Sequence, residues 1–263
     1  MLAKYERLLK AKEKKLYANY KQSYRQLDKD VREILSELDS IEGQLNLDDW
    51  HRQLLHHKTG VLMSELYTKN HILLSSTFDE IVDTTKNNSL KAFKGHERLV
   101  AIAKPINNTN IVNKSIAGLN WADRMKHSSN VLRYDFIRIT AGGIEQGDSY
   151  SKIANKLADR YMIDVGKANT LARTEGHRIF ETTKYETMAS VNEEVKLLKT
   201  WHSVHDEKVR SSHSSLDGTQ IAFDDYFISP SGSKALRPGE FGDPAEDIYC
   251  RCYLSYELKL KGK

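Results

Sequence analysis

From residue 3 to residue 42 the chain contains neither glycine nor proline. Apolar residues recur through this stretch at Leu16, Tyr20, Tyr24, Leu27, Val31, Leu35, Leu38 and Ile41, in steps of three and four. A run without breakers and with that spacing predicts one long helix with a narrow apolar seam, as in a coiled coil or an arm docked on a neighbour. Gly43 is the expected stop. The charge along the helix is polarised. Residues 1–26 carry eight basic residues, Lys4, Arg7, Lys10, Lys12, Lys14, Lys15, Lys21 and Arg25, against two acids, whereas residues 27–50 carry two basic residues against eight acids. The basic end suits nucleic acid or an acidic protein surface, and a solvated helix face is the plainer reading. Tyr5, Tyr17, Tyr20 and Tyr24 fall in this basic stretch. Their helical spacing favours packing over stacking on bases.

A second helix is expected from "NLDDW", capped by Asn46 or Asp48. It continues through Trp50, Leu54, Leu55, Val61, Leu62, Leu66 and Tyr67. Residues 84–120 are rich in Asn, Thr, Lys and Ser and read as loops around short helices. They divide an N-terminal part, residues 1–104, from a C-terminal domain, residues 105–263. Helices are expected again from Trp121, with Gly142 and Gly143 ending one and Asp148 or Ser149 capping the next. "SKIANKLADRYM" and residues 164–190 read as two further helices. The pattern then changes to short β-branched and aromatic runs, "EVKLLKTWHSV", "TQIAFDDYFI" and "YCRCYLSYEL". The fold class is therefore α+β, with a long N-terminal helical arm and a helical region packed with a small antiparallel sheet at the C-terminus.

The first residues are charged throughout and show no signal-peptide pattern, and no run is apolar enough to span a bilayer, so synthesis in a cytoplasm without a membrane partner is expected. No Gly-rich phosphate loop and no serine nucleophile elbow occur. The densest polar segment is "WHSVHDEKVRSSHSSLDG", residues 201–218. Its His202, His205, Asp206, His213 and Asp217 are residue types that ligate metals or transfer protons, which defines a metal-dependent hydrolase or nuclease as one reading. Their spacing matches no metal motif, and a polar loop that bonds its own backbone is the structural alternative. Arg173 and Glu175 of "ARTE" read as a surface pair, or as partners of Asp206 or Arg210.

The only cysteines, Cys250 and Cys252, alternate onto one face of a presumed strand. A disulfide between them is disfavoured by strand geometry. A core pair remains, as does a structural zinc held by His213, Asp217, Cys250 and Cys252.

From Trp121 onward these pieces resemble the phage Mu F-like head morphogenesis family, the minor capsid proteins of tailed phages. The resemblance spans roughly residues 105–258. It rests on "GGIEQGDSYSKIANKL", on "LARTEGHRIF" with Arg173, Thr174 and Glu175, and on a W…D-x-x-x-R-x-x-H-x-x-L-D-G pattern. That pattern is carried by Trp201, Asp206, Arg210, His213, Leu216, Asp217 and Gly218. "RPGEFGDPAED" with Pro238 and Gly239, then Cys250, Arg251 and Cys252, complete it. Tyr249 stands where the family commonly has Asn. The resemblance implies a structural, non-enzymatic minor head protein in the virion, inside the capsid near the portal vertex and present in few copies. Its implied partners are the portal protein, scaffold or major capsid protein, and packaged double-stranded DNA whose ejection it assists. Some relatives carry C-terminal toxin domains; with eleven residues after Cys252, none is expected here.

Overall fold

A computed structural model describes residues 2–37, 40–41, 44–45, 48–91, 100–101, 105–116 and 118–258. Leu38, Gly43 and Asn46, expected to extend the seam, end the arm and cap the next helix, lie outside these residues. The elements in chain order are α1 (Leu2–Glu37), β1 (Ser40–Ile41), β2 (Gln44–Leu45), α2 (Asp49–Leu90), α3 (Asn108–Val112), α4 (Trp121–Glu145) and α5 (Tyr150–Glu194). After them come β3 (Leu197–His202), α6 (Ser211–Ser214), β4 (Gln220–Ala222), β5 (Phe227–Ile228), β6 (Lys234–Ala235), α7 (Pro244–Asp247) and β7 (Tyr253–Leu258). The expected α+β class, with long N-terminal helices and a small C-terminal antiparallel sheet, is what forms.

Three helices are longer than their local sequence signals suggest. α2 runs through "TTKNNSL" to Leu90, where loop was expected. Its buried positions continue at Leu74, Phe78, Ile81, Val82, Thr85 and Ser89, so packing overrides the weak helix propensity of Asn and Thr. α4 passes through Gly142 and Gly143 to Glu145; the left-handed residue that ends it is Gly147, at φ 69°. Gly143 is instead a close-packing position, since a Cβ there would lie 2.6 Å from Ile153 Cγ1. α5 is one helix of 45 residues, not two. Ile153, Leu157, Tyr161, Val165, Ala168, Ala172 and Ile179 form an unbroken buried stripe across "DVG", and a single mid-helix glycine is too weak a breaker to divide it. The caps follow expectation: Asp48 accepts the His51 N–H at 2.8 Å and Ser149 accepts the Lys152 N–H at 3.3 Å.

The chain divides into two compact units, each described here by itself. One comprises Lys10–Leu74 and Trp121–Leu171. Its core gathers Tyr20, Leu27, Val31, Ile34, Leu62, Leu66, Leu132, Phe136, Leu157 and Tyr161. The α1 seam therefore uses Ile34 in addition to the expected Leu16, Tyr20, Leu27 and Val31, with Tyr24 half-buried. Tyr20 meets Tyr161 edge to face and its hydroxyl donates to Asp164, so this aromatic residue packs rather than awaiting a base.

The other unit comprises Met1–Leu9, Ser75–Asn120 and Ala172–Lys263. Its sheet has the order β4-β3-β7, antiparallel throughout, with Trp201 opposite Leu254 and His202 opposite Tyr253. β5 and β6 form a separate hairpin. Cys250 and Cys252 precede β7 and are not part of it, because the strand begins at Tyr253. The free backbone edge of β7 is covered by a polar stripe of α5. Glu181 accepts the Leu254 N–H at 3.2 Å, Lys184 donates to the Leu254 carbonyl at 2.7 Å, and His177 Nε2 donates to the Cys252 carbonyl at 2.8 Å. An edge strand is thereby closed by side chains rather than by another strand.

Candidate functional site

The site is built from the end of β3, the loop that follows it, α6, α7 and the run into β7. Along β3, Leu197, Lys199 and Trp201 are buried while Leu198, Thr200 and His202 are half-buried. Trp201 is fully buried and lies against His213, Phe227 and Phe241, with ring centroids 5.6, 5.1 and 5.7 Å away. Leu216, Ala235, Cys250, Cys252 and Leu254 complete this cluster.

The polar residues of the loop hold the chain around that core. Asp206 takes both guanidinium nitrogens of Arg251, at 2.5 and 2.6 Å, and this fork holds its carboxyl down to about 2. Arg210 donates to the Ile248 carbonyl. Asp217 accepts the Ser203 N–H at 2.6 Å, the main reason its carboxyl sits below the ordinary range. Gly218, at φ 74°, returns its N–H to the Trp201 carbonyl at 2.9 Å. Thus Leu216 fills the core, Asp217 closes the loop and Gly218 makes the turn. Pro238 and Gly239 form a second turn, with Gly239 at φ 80° against the Arg178 backbone.

The five His and Asp residues of the hydrolase reading do not converge. His202, on the opposite face of β3 from Trp201, bonds Ser255 Oγ at 2.7 Å and stacks on Tyr253. His205 is exposed, 3.5 Å from Asp217, and His213 is buried. Nor does "ARTE" pair with Asp206 or Arg210. Glu175 is buried and accepts from Arg178 Nε at 2.8 Å; the other two Arg178 nitrogens donate to the Ile111 and Val112 carbonyls at 3.0 and 3.2 Å. Thr174 Oγ1 accepts the Tyr249 N–H at 3.3 Å, and Arg173 is half-buried on the same helix.

Three of the four expected metal ligands do meet. His213 Nδ1 lies 3.6 Å from Cys250 Sγ and 3.4 Å from Cys252 Sγ, and the three ligand atoms fall within 4.8 Å of one another. The fourth, Asp217, is engaged by Ser203 and His205 and is not in this group. His213 Nε2 stands 3.0 Å from Glu246 Oε2. Burial opposes ionisation of Glu246, but Ser212, His213 and Ser231 outweigh it and hold the carboxyl below its ordinary value. The two buried thiols interact directly, which holds Cys250 protonated and makes Cys252, beside His213, the more acidic of the pair.

Two features were missed in the sequence. Lys199 is fully buried, donates to the Leu236 carbonyl at 2.9 Å and lies over the rings of Tyr185, Phe223 and Phe227. His177, Glu181 and Lys184 sit at i, i+4 and i+7, a spacing that signals one helix face, but their polarity disguises it as solvent-facing.

Residues 137–255 match the family model described as Phage Mu protein F like protein. This segment is a Mu F-like region. Among curated proteins, Minor head protein GP7 of Bacillus phage SPP1 is 33% identical over 118 residues, covering 45% of this chain and 38% of that protein. NAD(+)--arginine ADP-ribosyltransferase EFV of Enterococcus faecalis is 26% identical over 269 residues, covering 95% of this chain and 54% of that protein. The chain thus spans well under half of the first relative and about half of the second. No solved structure matches it. The loop, the two turns and the Cys250–Cys252 segment described above all fall inside the Mu F-like region.

Proposed function

We propose that the chain is a structural minor head protein of a tailed phage, resident in the virion and acting in head morphogenesis. The observation that carries this is the 33% identity to a minor head protein over 118 residues, beside the match of residues 137–255 to the Mu F-like family model. Portal protein is its proposed principal partner, with scaffold or major capsid protein as further contacts, and its place is inside the head near the portal vertex.

Residues 1–104 are the proposed docking element and residues 105–263 the Mu F-like domain. On α1, Lys4, Arg7, Lys10, Lys14, Lys15, Lys21 and Arg25 are exposed and Lys12 is half-buried, while Tyr5, Leu9, Leu16 and Tyr20 are buried. That arrangement turns the exposed basic side chains toward solvent, where DNA phosphates or an acidic surface of the portal could meet them. No helix among the described residues is long and apolar enough to cross a membrane. The transferase name of the second relative belongs to a protein of which close to half lies outside the aligned segment, and it is not carried over.

Co-purification from infected cells tests the partner. Tagged full-length chain should bring down portal protein, and a chain lacking residues 1–42 should not. Equal recovery of portal with both chains would remove the arm from the interaction, and no recovery with either would remove the portal.

A further inference from the structure

We propose that His213, Cys250 and Cys252 bind one zinc ion, which ties the loop after β3 to the segment entering β7. A tetrahedral zinc with sulfur at about 2.3 Å and nitrogen at about 2.0–2.1 Å has nitrogen–sulfur edges of about 3.6 Å. The two Nδ1–Sγ separations here are 3.6 and 3.4 Å, so the nitrogen already stands from each sulfur at about that edge length, and all three ligand atoms lie within 4.8 Å of one another. All three residues are buried, and they are the only metal-competent group of this kind among the described residues.

One surrounding group is placed as the second partner of a metal-bound imidazole would be. Glu246 stands 3.0 Å from His213 Nε2, the ring nitrogen that would face away from the metal. The pair is close but not aligned as a hydrogen bond, which leaves this buried nitrogen without a hydrogen-bond partner; once the ring turns onto an ion, a carboxylate in that place orients the imidazole.

Charge balance agrees with the apolar surroundings. Two thiols release their protons on binding, and two thiolates with a neutral imidazole cancel the charge of Zn²⁺. The resulting neutral centre can sit beside Trp201, Phe241 and Leu216 without a buried net charge. The remaining coordination position falls to water or a backbone oxygen, because Asp217 is committed to Ser203. Mixed sulfur and nitrogen ligands in a tetrahedral array select zinc over hard cations.

The test is metal analysis of the full-length chain, made without a polyhistidine tag in zinc-supplemented medium and purified without chelator. About one zinc per chain is expected, released when a mercurial blocks the thiols. Cys250→Ser and Cys252→Ser should each lower the zinc content at least about tenfold, and Glu246→Gln should weaken affinity by about 10–100-fold. Asp217→Asn should retain the ion. Should the cysteine variants prove insoluble, cobalt loaded into the chelator-treated wild-type chain decides, with a thiolate-to-cobalt charge-transfer band expected. Wild-type protein holding less than about 0.1 zinc per chain, another metal in its place, or zinc retained without either cysteine would overturn the assignment.

Discussion

Trp201 and His213 meet edge to face, with ring centroids 5.6 Å apart and planes at 82°. One residue lies next to the end of the central strand and the other on a single helical turn, so this contact fastens the loop to the sheet. Trp201 also packs on Phe227 and Phe241. Trp201→Ala should therefore cost about 3–5 kcal/mol of stability, as truncations of fully buried large aromatics do. Urea unfolding should show a lower midpoint with an unchanged slope; a loss below about 1 kcal/mol would mean that the cluster collapses around the gap.

Arg178 joins α5 to α3 by donating to the Ile111 and Val112 carbonyls while pairing with buried Glu175. Arg178→Met removes the guanidinium's bonds to the buried Glu175 carboxylate and to two backbone carbonyls. The expected cost is about 3–5 kcal/mol. Limited proteolysis should register it first as faster cleavage near residues 105–116, and unchanged cleavage there would show that α3 is held by other contacts.

Lys199 gives a pH dependence with a definite sign. Burial pulls its ammonium down to about 8 from 10.5. Between those values the unfolded chain binds more protons than the folded one, so stability rises with pH across the window. The penalty is in full force below about pH 8 and gone above about 10.5. Lys199→Met lacks this titration. From pH 8 to 10.5 the stability difference between the two proteins should shift in favour of wild type, as read by denaturant midpoints at each pH. A difference that stays constant would mean that Lys199 is solvated.

Tyr249 occupies the left-handed region at φ 58°, just before the Cys250–Cys252 segment. A bulky side chain is disfavoured there, whereas Asn tolerates it. Tyr249→Asn should raise stability by about 0.5–1 kcal/mol. A lower melting temperature would show that the tyrosine ring contributes more packing than its backbone costs.

Lys199 and His213 differ in how much of their surroundings the local sequence reveals. His213, Cys250 and Cys252 are chemically rare types, and their convergence follows once the strand and the loop are placed. Lys199 sits at an inward position of β3, but its cage comes from Tyr185, Phe223 and Phe227, residues 14 to 28 positions away, which no local pattern joins. Helix existence was readable from apolar spacing. Helix length was not, because Gly142, Gly143 and the Asn pair at 87–88 signal breaks locally while the helices run through them. Asp217 was a plausible ligand by residue type. Only the geometry of the turn shows that the Ser203 N–H takes it first.

The structural role in the phage head is tested most directly by quantitative mass spectrometry of purified, DNA-filled heads. Peptides of this chain should be present, in copies comparable to or fewer than the portal subunit and far fewer than the major capsid protein. Heads that contain portal and capsid protein but none of this chain would contradict a minor head protein.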